Sequence, residues 1–167
     1  MPKMVNIEGN VLLELNLLRN EYLDIDVLRE DFENWIPFNF KLNVVEEEFN
    51  YLPDDGATFT LYELRNMLTE FDNIISHKKN GLKVEDFSFN SSEGYFDIKV
   101  YDPLEENLLS LDVWINMGII TYGKSFGYNK GIRFDIQLNE FISFAEQLTQ
   151  QFMQIYDSII KHIRNNE

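Results

Sequence analysis

The stretch TLYELRNMLTEFDNIISHKKNG, residues 60–81, decides the fold class, because a helical pattern begins here in a chain that otherwise opens with strand patterns. Its apolar residues recur at steps of three and four and so share one helix face: Leu61, Leu64, Leu68, Phe71 and Ile75. Thr60 and Glu63 have the spacing of a capping box, and Asn80-Gly81 can form a left-handed C-terminal cap. The stretch therefore predicts a helix from about 61 to 78.

On both sides of this helix, apolar residues alternate with polar ones, which is the period of a half-buried strand. The alternation covers residues 11–17, 23–27 and 38–44 before the helix, and 87–89, 96–101, 109–116 and 132–138 after it. An acidic segment, Glu46-Glu47-Glu48, and then a turn signal, Pro53-Asp54-Asp55-Gly56, precede the helix. A glycine-rich connection spans residues 118–131. Hairpin-length connections favour an antiparallel sheet over parallel crossovers.

A second long helix is predicted from about 139 to 162, with Asn139 as its N-cap. Its apolar residues repeat at four and three: Phe141, Ala145, Leu148, Phe152, Ile155 and Ile159. Such a stripe usually faces the domain's own sheet, so a monomer is favoured over a dimer built on this face. The whole pattern predicts an α+β fold: a single domain, residues 1–167, with two helices packed on a curved antiparallel sheet and a frayed tail at 164–167.

Composition fits one domain and removes several classes of function. The chain has 167 residues, is 44% hydrophobic, and carries a formal charge of −15. It has no cysteine, which excludes disulfides and thiolate zinc sites and favours a reducing cytoplasm. We expect no signal peptide and no membrane span, and the negative charge disfavours nucleic acid and anionic lipid. The favoured partners are cationic, either a basic protein or metal ions.

Sequence motifs for catalysis are not found. His77 and His162 lie near the predicted helix C-termini, where an imidazolium meets the helix dipole favourably. No GxSxG or phosphate-binding loop occurs, and no EF-hand spacing surrounds Asp24 and Asp26 or Asp54 and Asp55. Carboxylates on a solvated surface explain these pairs more simply than a metal site. We therefore predict no enzyme activity, no cofactor and no resident metal.

Acidity is the one feature that stands above background. Residues 1–60 hold thirteen Asp and Glu against four Lys and Arg, a net charge of −9. Acids around aromatic anchors are typical of a surface that binds a basic protein, although the same acids could serve only solubility, with the aromatics in the core. The predicted partner-binding residues are the acids Asp24, Asp26, Glu30, Asp31, Glu33, Glu46, Glu47, Glu48, Asp54 and Asp55, with Trp35 and Tyr51 as anchors.

The order of segments resembles the WapI family of bacterial polymorphic-toxin immunity proteins. The features that carry the resemblance are the acidic segment with a Trp at residues 30–35, the helix pattern at 61–68, the strand at 84–89 and the last strand leading into a helix at 134–148. The resemblance implies a cytoplasmic, non-catalytic protein that binds and neutralises a cognate toxin. A basic toxin, for example a nuclease domain, would suit the acidic surface. The alternatives are a small-ligand-binding protein and an accessory protein whose acidity serves only solubility.

Overall fold

The computed structural model describes the backbone of residues 1–164 and the side chains of residues 1–157. All strand pairs in this part of the chain are antiparallel, and they form two sheets. The first sheet has the order β1-β2-β3-β4, with β5 also paired to β3, and the second has the order β6-β7-β8-β9. The first sheet contains β1 (Lys3–Val5), β2 (Val11–Leu17), β3 (Trp35–Val44), β4 (Glu47–Tyr51) and β5 (Thr58–Thr60). The second contains β6 (Phe87–Asn90), β7 (Phe96–Tyr101), β8 (Leu108–Asn116) and β9 (Asn129–Gln137).

Aromatic rings from the two sheets meet in the core. Phe40 of β3 stacks on Phe96 of β7 with 4.3 Å between ring centroids, and Phe38 stacks on Phe59 at 4.0 Å. All four rings are at most 1% exposed. Alternation within each strand supplies these inward residues, and stacked aromatic pairs contribute beyond the area that they bury.

The two long helices pack on each other and on the sheets. α1 (Leu61–Lys79) begins at the capping box, in which the Thr60 hydroxyl accepts from the Glu63 backbone N–H. The Phe71 ring of α1 lies 5.0 Å from the Phe141 ring of α3 (Leu138–Arg164) and 6.0 Å from the Phe87 ring of β6. A single-turn helix, α2 (Met117–Ile120), follows β8.

These observations confirm the α+β class, the antiparallel pairing and both long helices. The predicted stripe on α3 is buried at Phe141, Ala145, Leu148, Phe152 and Ile155, while the side chain of Ile159 lies outside the described part. The strands, however, are divided between two sheets instead of one. Of the expected frayed tail at 164–167, only the backbone of Arg164 is described, and it is helical.

Four local features differ from the sequence prediction. Residues 23–27 form no strand. The chain makes one isolated bridge, Asp24 to Trp35, and then a turn whose backbone is hydrogen-bonded to the Asn34 side chain. The Asn34 Oδ1 accepts from the Asp26 N–H at 2.7 Å and its Nδ2 donates to the Glu30 carbonyl at 2.9 Å.

Asn139 is not an N-cap, since β9 runs directly into α3 at Leu138, whose N–H donates to the Asn107 carbonyl. The acidic segment at 46–48 belongs largely to β4, and residues 118–131 contain α2 and the start of β9.

Candidate partner-binding site

Seven of the predicted acids lie around one end of the first sheet, which we call the acidic end. They come from the loop between β2 and β3 and from a 3-10 turn at Pro53–Asp55. The loop is fixed to the sheet by the Asp24–Trp35 bridge and to α1 by an ion pair between Asp31 and Arg65 (2.7 Å). Interaction with the Asp54 carboxylate of the 3-10 turn raises the pKa of the Tyr22 hydroxyl. The acidic end consists of Asp24, Asp26, Glu30, Asp31, Glu33, Asp54 and Asp55.

The other three acids, Glu46, Glu47 and Glu48, lie at the opposite end of β3, in the β3–β4 hairpin. Trp35 and Val44 are nine residue steps apart along β3, which corresponds to roughly 30 Å of extended chain. Two of the three carboxylates already have cationic partners, because Glu47 pairs with Lys130 and Glu48 pairs with Lys41 at 2.8 Å. The ten acids therefore do not form one continuous patch, and the hairpin carries less unpaired charge than its sequence suggests.

The carboxylates of the acidic end are largely available to a partner. Asp24 is bound by Arg29, and this hydrogen bond keeps the pKa of Asp24 below its usual value. Asp26, Glu33 and Asp54 make no salt bridge with any described cation; the same holds for Glu30 and Asp55. Glu33 instead accepts from the Glu30 N–H and closes the capping box of the 3-10 turn Asp31–Glu33. The acidic end thus presents negative charge that the fold itself does not neutralise.

The two expected anchors occupy different environments. Trp35 is half-buried, and its backbone pairs with Asp24 and Thr60. Tyr51 is 1% exposed, so its ring lies in the core and is not presented to a partner. The Tyr51 hydroxyl donates to the Tyr95 carbonyl at 2.5 Å and accepts from the Asn116 N–H at 3.2 Å, and burial raises the pKa of Tyr51 far above its usual value. Tyr51 is therefore a structural link between the sheets.

The sequence interpretation missed two exposed aromatic residues in the connection between α2 and β9, one of which lies beside Asp55. Tyr122 is 78% exposed and Phe126 is 79% exposed, both in the connection between α2 and β9. The Tyr122 hydroxyl lies 3.4 Å from the Asp55 carboxylate, and Tyr22 on the other flank is 43% exposed. A signal was present in the sequence, because Tyr122, Phe126 and Tyr128 occur between glycines without the alternation of a buried strand.

The most buried ion pair belongs to the scaffold. The Lys78 Nζ lies 2.6 Å from the Asp102 Oδ1, both side chains are 5% exposed, and Lys78 also donates to the Glu105 carbonyl at 2.8 Å. Asp102 accepts further bonds from the Val84 and Leu104 backbone N–H groups. A cavity of about 350 Å³ lies beside this pair, between the end of α1 and the β7–β8 connection. Because every charged atom of the pair has a partner, the pair holds α1 to the second sheet.

Two features of the described residues bear on other functions. No three His, Asp or Glu side chains among the described residues are grouped as metal ligands would be. None of the described helices is long and apolar enough to cross a membrane.

The fold and this surface define an α+β protein with an acidic, largely unpaired end on its first sheet. The chain matches the model of the Immunity protein WapI-like family over residues 3–155 and belongs to that family, which confirms the resemblance seen in its sequence. None of the curated proteins compared with the chain matches it. The solved structure of the plant transcriptional regulator PBF-2 aligns with 95% of this chain and 85% of its own, at 10% identity and a TM-score of 0.46. That likeness carries no argument about function.

Proposed function

We propose that this chain neutralises a cognate, basic toxin domain by binding it stoichiometrically, with the acidic end facing the toxin. The observation that carries the proposal is the unpaired charge of the acidic end in a member of an immunity protein family with a formal charge of −15. A nuclease toxin needs a basic cleft to hold phosphates, and a carboxylate surface can occupy such a cleft in their place. In this proposal the protein is a cytoplasmic monomer without catalytic activity.

Charge steering supplies the physical advantage. Complementary charges raise association rates above those of neutral protein pairs, and the gain falls with ionic strength. An immunity protein benefits from fast association, because free toxin does damage before it is captured. Carboxylates at the rim are expected to act mainly on the association rate, and only a buried, paired carboxylate would contribute strongly to slow dissociation.

The test uses the cognate toxin domain, purified after it is captured by a pull-down from cells of the same strain. Association kinetics are measured against ionic strength for two triple reversals of equal charge change: Asp26, Glu30 and Glu33 to Lys, and Glu46, Glu47 and Glu48 to Lys. We expect both to slow association at low salt, with the acidic end losing about tenfold or more because its carboxylates are unpaired. The hairpin variant is the control for net charge. Unchanged association in both variants at low salt would leave the acids with a role in solubility only.

Protection of growing cells provides the functional readout. Wild-type protein co-expressed with the toxin should restore growth, and the acidic-end reversal should protect less at equal expression. Purified protein should show no saturable hydrolase activity. An activity that persists through repurification and is lost on substitution of one carboxylate would contradict a purely binding role.

A further inference from the structure

Three turn segments meet at one edge of the molecule, which we call the aromatic edge. The first is the Pro53–Asp55 turn with Gly56, where the Tyr95 hydroxyl approaches the backbone. The second is the hairpin turn at 91–94, whose Gly94 carbonyl accepts from the Asn116 Nδ2 at 2.8 Å. The third is the segment 117–128, which Asn116 also holds by capping the Gly118 and Ile119 N–H groups. The aromatic edge consists of Tyr22, Asp54, Asp55, Glu93, Tyr122 and Phe126.

The segment 117–128 holds its aromatic side chains in place although they are exposed. The Phe126 ring lies on the backbone of two glycines, so a Cβ at Gly123 would approach the ring to 3.0 Å and one at Gly118 to 3.7 Å. The Gly123 N–H donates to the Gly118 carbonyl at 2.8 Å, and the Thr121 hydroxyl accepts from the Ser125 N–H at 2.9 Å. The ring is therefore seated on a hydrogen-bonded turn, and fixing it on binding costs little entropy.

Tyr122 adopts a backbone conformation that its residue type disfavours. Its φ of +50° lies in the left-handed region, where residues with a Cβ are uncommon, and its side chain buries little surface in return. Tyr122 instead places its hydroxyl beside the Asp55 carboxylate. The effect is an aromatic ring and a negative charge presented side by side.

From this arrangement we propose that Tyr122 and Phe126 are the anchors that hold the cationic toxin surface, while Asp54, Asp55 and Glu93 pair with its Lys or Arg side chains. The charges support a cationic occupant, because none of these three carboxylates pairs with a cation among the described residues. Tyrosine is enriched among residues that dominate binding energy, and aromatic faces attract guanidinium and ammonium groups. The inference rests on the proposed function and deepens it by naming the anchors.

The experiment measures dissociation of the same purified toxin domain from wild type, Tyr122→Ala, Phe126→Ala and Phe32→Ala. Phe32 is a matched control, since it is 60% exposed and lies on the other flank of the acidic end. Tyr122→Ala and Phe126→Ala should each raise the dissociation rate about tenfold or more and leave the association rate within about twofold. Thermal unfolding of each variant verifies the fold, and Tyr122→Phe should retain most of the affinity.

The outcomes separate the two proposals. If wild type binds the toxin and both alanine variants dissociate at the wild-type rate, the anchors are misassigned and the immunity role stands. A large loss in Phe32→Ala alone would likewise overturn the assignment and move the anchor to the other flank. If the wild type does not bind the toxin domain at all, both proposals fail. Hen lysozyme, an unrelated basic protein, serves as a probe for nonspecific attraction and should show salt-sensitive binding that none of the aromatic substitutions changes.

Discussion

Lys78→Met tests how the fold holds α1 against the second sheet. The substitution keeps the aliphatic length of the side chain and removes the ammonium that lies 2.6 Å from Asp102. Asp102 then remains in a site where its side chain is 5% exposed, with backbone N–H donors but no cation. Removing one partner of a buried ion pair lowers the free energy of unfolding by about 3–5 kcal/mol. Because Asp102 keeps its backbone N–H donors, we expect a loss of about 3 kcal/mol. For a chain of this size that cost lowers the midpoint of thermal unfolding by about 6–12 °C.

The pH dependence provides a second readout. Burial alone would raise the pKa of Asp102, but the hydrogen bonds from Lys78, Val84 and Leu104 outweigh it, and the pKa lies below its usual value. A carboxyl whose pKa falls on folding stabilises the protein above its unfolded pKa, and that stability is lost as the pH falls through the folded pKa. The deficit of Lys78→Met should therefore be largest at neutral pH and shrink below about pH 4.

The assay is urea unfolding followed by circular dichroism at pH 7 and at several lower values. Lys79→Met is the matched control, because it removes the same charge from the same helical turn at an exposed position. Its effect should stay within about 0.5 kcal/mol. The reasoning is refuted if both variants lose the same stability at pH 7, or if the Lys78→Met deficit grows as the pH falls.

Three further predictions concern the core and the second sheet. Leu68→Ala and Phe152→Ala remove buried side chains and should each lower the free energy of unfolding in urea by about 2–5 kcal/mol. Met153→Ala, at a 46% exposed position, should lower it far less. Losses under about 1 kcal/mol at both core sites would place the apolar stripes outside the core. Tyr51→Phe should lower the free energy of unfolding by about 1–3 kcal/mol, because the Tyr95 carbonyl and the Asn116 N–H lose their hydrogen-bond partner. The exposed control Tyr128→Phe should change it little, and equal effects of the two would contradict the link between the sheets. Hydrogen bonds from Arg133 and then Tyr101 outweigh burial and lower the pKa of Asp112. Asp112→Asn should therefore be less stable than wild type at neutral pH and approach the stability of wild type as the pH falls. A pH-independent difference in stability would show that this carboxyl does not contribute through its charge.

Periodicity was sufficient to predict the helices and most strands, because these elements bury one face and the face repeats in the sequence. It failed at residues 23–27, where alternating apolar and acidic residues look like a strand. There the Asn34 side chain supplies the hydrogen bonds that a neighbouring strand would have supplied, and the chain turns. Periodicity also failed to predict β4. Only Phe49 and Tyr51 alternate there as buried residues, and the preceding Glu47 and Glu48 made the segment look like an acidic loop.

The candidate site was less predictable than the fold, for a physical reason. Acidic side chains stay on the surface almost wherever they occur, so their exposure could be predicted from residue type. Their grouping could not, because β3 carries Glu46, Glu47 and Glu48 to the end of the sheet opposite the acidic end. Aromatic residues give no such guidance, since Tyr51 is buried and Tyr122 is exposed although the two are chemically identical.

The two parts of the proposed interface impose different demands on the fold. Charge acts across a Debye length of about 8 Å at physiological ionic strength, so carboxylates on a loop can steer a partner without a fixed position. An anchor acts only in contact, and a displacement of one or two ångströms removes it. The aromatic edge meets that demand because its turns are connected through the buried Tyr51, which binds both Tyr95 and Asn116. A residue predicted as an anchor thus contributes from within the core, by fixing the segments that present Tyr122 and Phe126.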